Sequence, residues 1–280
     1  MRTTSFFITA LVIFLFFSCT SKPDVSESVS GNWLILYPDH HLKTNNERDV
    51  YGRHQDSIVN LFGLKLISIT ADGRFTEADS MFKAPASWAL SNKNDFHIRE
   101  GGKGFNPFNA SFEAFENDTL RLVQKLPLEN EKINVVWHLK NVDDDTIAKK
   151  LLSPGANKWR TRSLTPESES AIQQRLVSLL NYYSDYFKLI SQESSYFLVP
   201  RVHLPFRYYQ HAIGMKDEMP AGFISLFYNE DDARKGYQIL QTTLLRLANN
   251  FEPGENFVVE YGLFFKRMAV RIQNNATGMY

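Results

Sequence analysis

Residues 132–141 read KINVVWHLKN, and their alternation decides how the first half of this sequence is interpreted. Every second residue from Ile133 to Leu139 is apolar, and the residues between them are polar with the exception of Val136. Apolar and polar residues that alternate with a period of two are typical of a β-strand with one face in a core. We therefore predict a half-buried strand here.

Short apolar runs separated by turn signals precede this strand back to residue 31. Asp72-Gly73, for example, is a favoured hairpin turn between two such runs. This arrangement predicts an antiparallel sheet. The other predicted strands cover residues 32–37, 64–70, 87–90, 95–99, 111–115 and 119–126, and one more begins at Phe75. Residues 48–62 instead have apolar residues near helical spacing, which predicts one short helix.

Four motifs follow one another in this region: Gly31-Asn32-Trp33, Asp72-Gly73-Arg74-Phe75, Trp88-Ala89-Leu90-Ser91-Asn92 and Asp118-Thr119-Leu120-Arg121-Leu122. Their order resembles that found in the lipocalin-like (calycin) domains of bacterial envelope lipoproteins. Residues 31–145, the first predicted domain, therefore resemble that family over most of their length. The resemblance implies an antiparallel β-barrel of about eight strands. Its interior would hold either one small apolar ligand or only its own side chains.

Trp33, Trp88 and Trp137 are the candidate ligand-binding residues of this domain. Large aromatic side chains at inward positions of a small barrel usually fill the core, so packing is the competing interpretation for each of them. Trp88 is the better cavity candidate because Ala86 and Ala89 leave space beside it. Trp33, in the first strand, is the better packing candidate.

We predict no catalytic residue, no metal site and no cofactor. The sequence lacks a Gly-x-Ser-x-Gly elbow, a phosphate loop and a dinucleotide-binding glycine motif. The clusters Asp39-His40-His41 and His54-x-Asp56 do not provide the three or four suitably spaced ligands of a zinc site. We interpret these histidines as solvated loop residues.

Residues 146–164 form the predicted linker between two domains, because they contain Pro154-Gly155 and follow three aspartates. The linker is basic. Its cations are Lys149, Lys150, Lys158, Arg160 and Arg162. We interpret them as a solvated segment, and contact with anionic lipid headgroups is the alternative.

Residues 165–275 predict a two-layer α+β domain with two long helices on a small sheet, so that the protein is α+β overall. Thr165 and Asn229 are the predicted N-caps of the two helices. The predicted strands are residues 196–199, 222–228 and 256–272. Tyrosines are frequent here and are interpreted as core residues, with an aromatic binding platform as the alternative. They are Tyr182, Tyr183, Tyr186, Tyr208, Tyr209 and Tyr237.

The N-terminus has the plan of a secretory signal, with Arg2, an apolar run over residues 6–17, and Ser18 before Cys19. The run is shorter than the ~20 apolar residues that span a bilayer. Phe16-Phe17-Ser18-Cys19 resembles a relaxed lipobox, which implies cleavage of residues 1–18, lipid attachment at Cys19 and a tether over residues 19–30. Cys19 is the only cysteine, so it has no disulfide partner. An ordinary signal cut near Ser18 is the alternative.

Composition supports a folded, globular protein. Hydrophobic residues make up 43% and charged residues 22%, and the net charge of +0 offers no basic surface for nucleic acid. We predict a membrane-anchored envelope lipoprotein, in the outer rather than the inner membrane, that acts as a binding or scaffolding module for a small apolar ligand or a protein partner. The alternative is an envelope hydrolase with its site between the two domains.

Overall fold

The computed structural model describes residues 29–40, 42–59, 66–77, 86–90, 95–100, 109–116, 119–192, 204–209, 212–247, 251 and 256–277. The strands are β1 Gly31–His40, β2 Leu66–Ile69, β3 Arg74–Glu77, β4 Ala86–Leu90, β5 Asp95–Glu100, β6 Asn109–Glu116, β7 Thr119–Leu128, β8 Glu131–Asn141, β9 Phe206–Tyr209 and β10 Ala212–Met215. The helices are α1 Asn45–Val59, α2 Thr146–Leu152, α3 Glu169–Ile190, α4 Ala221–Ile224, α5 Glu230–Leu247 and α6 Phe257–Thr277, with a 3-10 turn at Lys158–Arg160.

The first half is built on an antiparallel half-barrel of five strands in the order β3-β2-β1-β8-β7. The long strands β1 and β8 pair from Trp33 opposite Asn141 to His40 opposite Val135, with a bulge at Leu36. Backbone pairing continues from β3 through β4, β5 and β6 to β7. The contact between β3 and β4 is only two residue pairs long. The half-barrel is therefore held together mainly by β1, β7 and β8.

The chain is α+β overall, as predicted, but the predicted architecture is wrong in both halves. In the first half, the five-stranded half-barrel replaces the predicted closed lipocalin-like barrel of about eight strands. Little pairing continues the sheet beyond its β3 edge, because the described contact between β3 and β4 is two residue pairs long. In the second half, the described sheet is a single hairpin, β9 and β10, beside helices. The predicted layer of helices on a small sheet is therefore replaced by a mostly helical unit.

The closing segment, residues 256–272, is the largest error within the second half, because it is helix α6 and not a strand. Its buried residues Val258, Tyr261, Phe265, Met268 and Ile272 recur at steps of three and four, which places them on one helix face.

Two other elements of the second half also differ from the prediction. Residues 222–228, a predicted strand, begin in the short helix α4 and continue in turns. The β9–β10 hairpin, Phe206–Tyr209 with Ala212–Met215, lies where no strand was predicted. Both runs are short and apolar, and periodicity does not distinguish a helix from a strand in such runs.

The two helices that were predicted in the second half, α3 and α5, begin at polar caps. Asn229 caps α5 as predicted, since its side-chain Oδ1 accepts a hydrogen bond from the Asp232 N–H at 2.8 Å. The cap of α3 is Ser168 and not Thr165, and its Oγ accepts from the Ala171 N–H at 3.2 Å. Residues 165–168 instead run extended along the start of α5.

The apolar core extends across the predicted domain boundary. Trp33 and Ile35 of β1 point into the half-barrel and pack under α1. Leu34 alternates with them along β1 and lies on the outer side of the sheet, as does Leu66 of β2. Both residues belong to the core of the helical half. The same core contains Ile272, near the end of α6. The sheet therefore has a buried face on each side where the helical half covers it.

Residues 146–164, the predicted linker, contain α2 and the 3-10 turn. Trp159 in that turn is buried and packs against Tyr182 and Tyr183 of α3, with ring centroids 5.5 and 5.8 Å apart. Several of the basic residues have partners on the helical half: the Lys150 Nζ lies 2.5 Å from the Asp185 carboxylate, and Arg162 donates to the Tyr228 carbonyl. The exact domain boundary stays a prediction.

Candidate functional site

The predicted ligand-binding tryptophans lie in the core where the structure describes them. Trp33 and Trp137 are fully buried. The Trp33 indole N–H donates to the Val29 carbonyl at 2.9 Å, and the Trp137 indole N–H donates to Gln124 Oε1 at 3.1 Å. Both contacts satisfy a buried donor, which supports the packing interpretation. Their role in ligand binding stays a prediction, and the side chain of Trp88 lies outside the described residues, as does Cys19.

The histidine clusters are not brought together into a site. His40 belongs to β1, where it pairs with Val135 of β8, and is not in a loop. His54 of α1 lies 3.2 Å from the Glu129 carboxylate, which Arg53 also binds at 2.8 Å. The hydrogen bonds from Arg53 and then His54 lower the pKa of Glu129. This exposed group joins α1 to the turn between β7 and β8.

The polar groove is an opening in the helical half, with a volume of about 460 Å³ between α3, α5 and α6. Helix α5 supplies most of its wall from one polar stripe. The lining residues are Lys235, Gln238, Ile239, Thr242, Thr243 and Arg246 of α5, Glu169 and Gln173 of α3, and Asn275 of α6. The opposite stripe of α5 is apolar and buried. The amphipathic pattern of α5 thus turns its polar face toward the groove.

The groove offers both donors and acceptors. Three side-chain amides and the Thr242 hydroxyl line it, and each of these groups can donate and accept. The Thr243 hydroxyl is already used, because it donates to the Ile239 carbonyl at 2.8 Å. Arg246 is exposed and has no ion-pair partner among the described residues. Its guanidinium is therefore the cation that remains available to a ligand.

Lys235, the other cation of the polar groove, is paired. Its Nζ donates to Asp232 Oδ1 at 2.9 Å, and the Asp232 side chain is buried. The second carboxylate oxygen of Asp232 accepts the Glu167 N–H at 2.9 Å. The Glu167 backbone contact, followed by the Lys235 hydrogen bond, lowers the pKa of Asp232. This carboxylate therefore holds the extended segment before α3 against the start of α5.

A second buried carboxylate, Glu167, is neutralised by Arg175 of α3. The Arg175 Nη2 and Nε lie 2.7 and 3.0 Å from Glu167 Oε1. The remaining Nη1 donates to the carbonyls of Trp159 and Thr161 at 2.6 and 2.8 Å. The guanidinium also lies over the Phe227 ring, 5.8 Å from its centroid. Arg175 is thus saturated with structural partners and forms the support behind the polar groove.

Another opening, of about 410 Å³, lies between the turn after α2 and helix α3. Its two charged residues, Lys150 and Asp185, bind each other. A ligand would have to compete with that ion pair. The polar groove, with the unpaired Arg246, is therefore the stronger candidate.

The described residues give little support to hydrolytic chemistry. His54, which contacts the Glu129 carboxylate, is on the surface at α1 and not in a cleft. No histidine is among the described residues that line the polar groove. A general base held beside a nucleophile would be the signature of a hydrolase. Among the residues that the structure describes, no group of three or more His, Cys, Asp or Glu side chains could hold a metal ion.

Sequence reasoning did not find the polar groove. Its residues are exposed polar positions of three helices, and such positions occur on every solvated helix. The available signal was the stripe on α5, in which polar residues recur from Lys235 to Arg246 at steps of three and four. Asn275 could not be added, because the sequence predicted α6 as a strand.

Comparison with known proteins gives no relative for this chain: no protein-family model matches it, and neither a curated protein nor a solved structure is significantly similar to it. No helix within the described ranges has the length and apolar character that a membrane span requires.

Proposed function

We propose that this protein is a lipid-anchored envelope binding module that holds a small hydroxylated, acidic ligand in the polar groove. The observation that carries the proposal is the groove wall, where three amides and the Thr242 hydroxyl accompany Arg246, whose guanidinium has no ion-pair partner among the described residues. The volume of about 460 Å³ is within the range of small-molecule sites.

The ligand class follows from hydrogen-bonding capacity. A sugar-like hydroxyl both donates and accepts, and so does a side-chain amide, which makes Gln173, Gln238 and Asn275 suitable partners. A guanidinium binds a carboxylate with two parallel hydrogen bonds, which a neutral ligand cannot form. Ile239 provides an apolar patch between the polar side chains. A sugar acid combines the groups that this wall can bind.

The polar groove is a better ligand site than the interior of the half-barrel. Trp33 and Trp137, which the sequence offered as cavity residues, are fully buried and bonded. A small apolar ligand would have to displace side chains that already pack against each other. The groove needs no such rearrangement.

Anchoring is proposed from the sequence around Cys19, with the outer membrane as the location. Several acyl chains at one cysteine hold a protein on a bilayer, whereas a single chain binds only marginally. The test is the mass of the first peptide of the mature chain, together with membrane fractionation of a Cys19→Ala variant. A first peptide without added lipid would refute the anchor.

Binding is tested with two probes that differ by one carboxylate, glucose and glucuronate. We expect the parent protein to prefer glucuronate by about tenfold or more in Kd, since a hydrogen bond to a charged group contributes roughly 1.5–3 kcal/mol. Replacing Arg246→Met should abolish that preference. Arg234→Met is the matched control, because Arg234 is also exposed on α5 but pairs with Glu230 outside the groove.

Two calorimetric outcomes would contradict the ligand proposal. One is equal affinity of the parent protein for the two probes, or no binding of either. The other is a loss of glucuronate binding in the Arg234→Met control that matches the loss in Arg246→Met. Membrane attachment is measured separately, so the anchor and the groove can fail independently.

A further inference from the structure

Helix α6 exposes two apolar side chains on one side. Leu263 is 47% exposed and Val270 is 46% exposed. Seven residues separate them, which places them within about 20° of each other around the helix and about 10 Å apart along it. An opening of about 310 Å³ next to Leu263 continues the apolar surface over Val259 and Gly262 to the end of α3. We call the surface around Leu263 and Val270 the α6 face.

Cations surround the α6 face. Lys266 and Arg267 are exposed on α6 between the two apolar residues. Lys188 of α3 lines the opening beside Leu263. The Lys266 Nζ donates to Asn181 Oδ1 at 2.8 Å, which fixes this ammonium at the edge of the face. Glu260 of α6 is half-buried, and Asp185 of α3, one turn from Asn181, is paired with Lys150. The face is therefore apolar at its centre and positively charged around it.

We infer that the α6 face docks onto an anionic lipid bilayer surface and fixes how the protein lies on its membrane. The inference rests on the proposed lipid anchor. Apolar side chains insert at the boundary between headgroups and acyl chains, while lysine and arginine extend toward the headgroups. Each cation near an anionic bilayer raises binding by about fivefold. Protein interfaces, in contrast, are depleted in lysine, so Lys188 and Lys266 favour lipid over a protein partner.

The tether makes such a contact effective even if it is weak. Residues 20–28 span at most about 30 Å when fully extended. An anchored chain is thus held within one domain diameter of the bilayer, and docking becomes an intramolecular step with a high effective concentration. The α6 face then needs to select an orientation, not to provide the attachment.

The experiment uses the full lipidated chain on vesicles, with one engineered thiol for a bimane label, since acylation blocks Cys19. Val270→Cys reports the α6 face, and Leu245→Cys on α5 is the control, which is more exposed at 67%. Quenching by doxyl-labelled lipid is compared in phosphatidylcholine vesicles with and without phosphatidylglycerol. We expect quenching at position 270 that needs phosphatidylglycerol, and none at position 245.

A second comparison tests the charges. Replacing Lys188→Gln and Lys266→Gln together should lower the docked-to-undocked ratio about fivefold for each charge removed. Lys125→Gln with Lys132→Gln is the control pair, since both of those lysines are exposed on the distant strands β7 and β8. An equal loss in the control pair would overturn the assignment of the charge effect to this face.

Other results would also overturn the inference. Two of these are equal quenching at positions 270 and 245 and quenching that does not need phosphatidylglycerol. A third is a shift in the fluorescence of the label at position 270 that depends on protein concentration and occurs without lipid quenching. That result would assign the face to a protein partner. Failure of the anchor is distinguishable, because it would leave Cys19 unmodified and the chain unable to float with vesicles.

Discussion

The ion pair between Glu167 and Arg175 gives the sharpest test of what stabilises the helical half. Both side chains are largely withdrawn from water, with exposures of 4% for Glu167 and 12% for Arg175. Removing one partner of a buried pair leaves an uncompensated charge, which costs about 3–5 kcal/mol. Arg175→Met should therefore lower the free energy of unfolding by about that amount. It also removes the donors to Trp159 and Thr161.

The double variant Glu167→Gln with Arg175→Met separates charge from packing. It removes the buried charge together with its partner, so it should recover a large part of the loss; replacing both members of a buried pair is often close to neutral. Arg234→Met is the control, because its pair with Glu230 is more than half exposed on both sides. Exposed pairs contribute about 0.2–1 kcal/mol.

Urea denaturation at neutral pH measures these differences, with the slope of the transition checked for each variant. The reasoning is refuted if Arg175→Met costs no more than Arg234→Met. It is also refuted if the double variant is less stable than Arg175→Met alone, since the cost would then arise from lost packing and not from the stranded carboxylate.

Three further predictions concern the two cores and the buried carboxylate. The pKa of the Asp232 carboxyl is lowered from 3.8 in the folded protein. The contribution of this carboxylate to the free energy of unfolding is therefore complete above pH 3.8 and is lost as the pH falls through the lower folded pKa. The urea midpoint of Asp232→Asn should accordingly decline less than that of the parent between about pH 5 and pH 2. Gly236→Ala would place a Cβ 2.9 Å from Cζ of the buried Phe227 and should destabilise the protein by about 1–3 kcal/mol. Gly52→Ala on α1, where an added Cβ has no atom within 4 Å, should instead stabilise it by about 0.5–1 kcal/mol. Equal effects of the two substitutions in thermal melts would contradict this prediction. Trp33→Ala should cost about 3–5 kcal/mol, and a variant that melts within a few degrees of the parent would show that Trp33 is not a packing residue.

The strands of the first half could be predicted because each has a local cause. Inward and outward residues alternate along β8, and Asp72-Gly73 places Gly73 in the left-handed region, with φ of 85°, at the turn between β2 and β3. The fold class could not be predicted in the same way. It depends on how far the core extends across short strands, and no local pattern encodes that.

Helix α6 was missed because its residue composition favours a strand, whereas the spacing of its buried residues is helical. Residues 257–272 are rich in aromatic and β-branched residues, which favour strands. The spacing of Tyr261, Phe265 and Met268 is nevertheless helical, and packing against α3 decides the outcome. Tertiary context overrides propensity in this segment.

The candidate site was missed for a different reason: its residues are far apart along the chain. The polar groove combines residues from position 169 to position 275, and its support joins Glu167 to Asp232 through a backbone contact. The sequence predicted Thr165 as the N-cap, which placed Glu167 in the first turn of the helix. The structure instead gives it a buried arginine, a pairing that no local spacing indicates.

The core that joins the sheet to the helices also determines when this chain can finish folding. Leu34 and Leu66 are synthesised early, but the core that buries them is completed by α6, which follows all other described elements in the chain. Until α6 emerges, Tyr183 and Phe187 of α3 lack the helix against which they are buried. For the exported precursor that we propose, this delay is useful. In such a precursor, the nascent chain would remain open to translocation while the proposed signal is recognised, because its core is completed only after α6 has been synthesised.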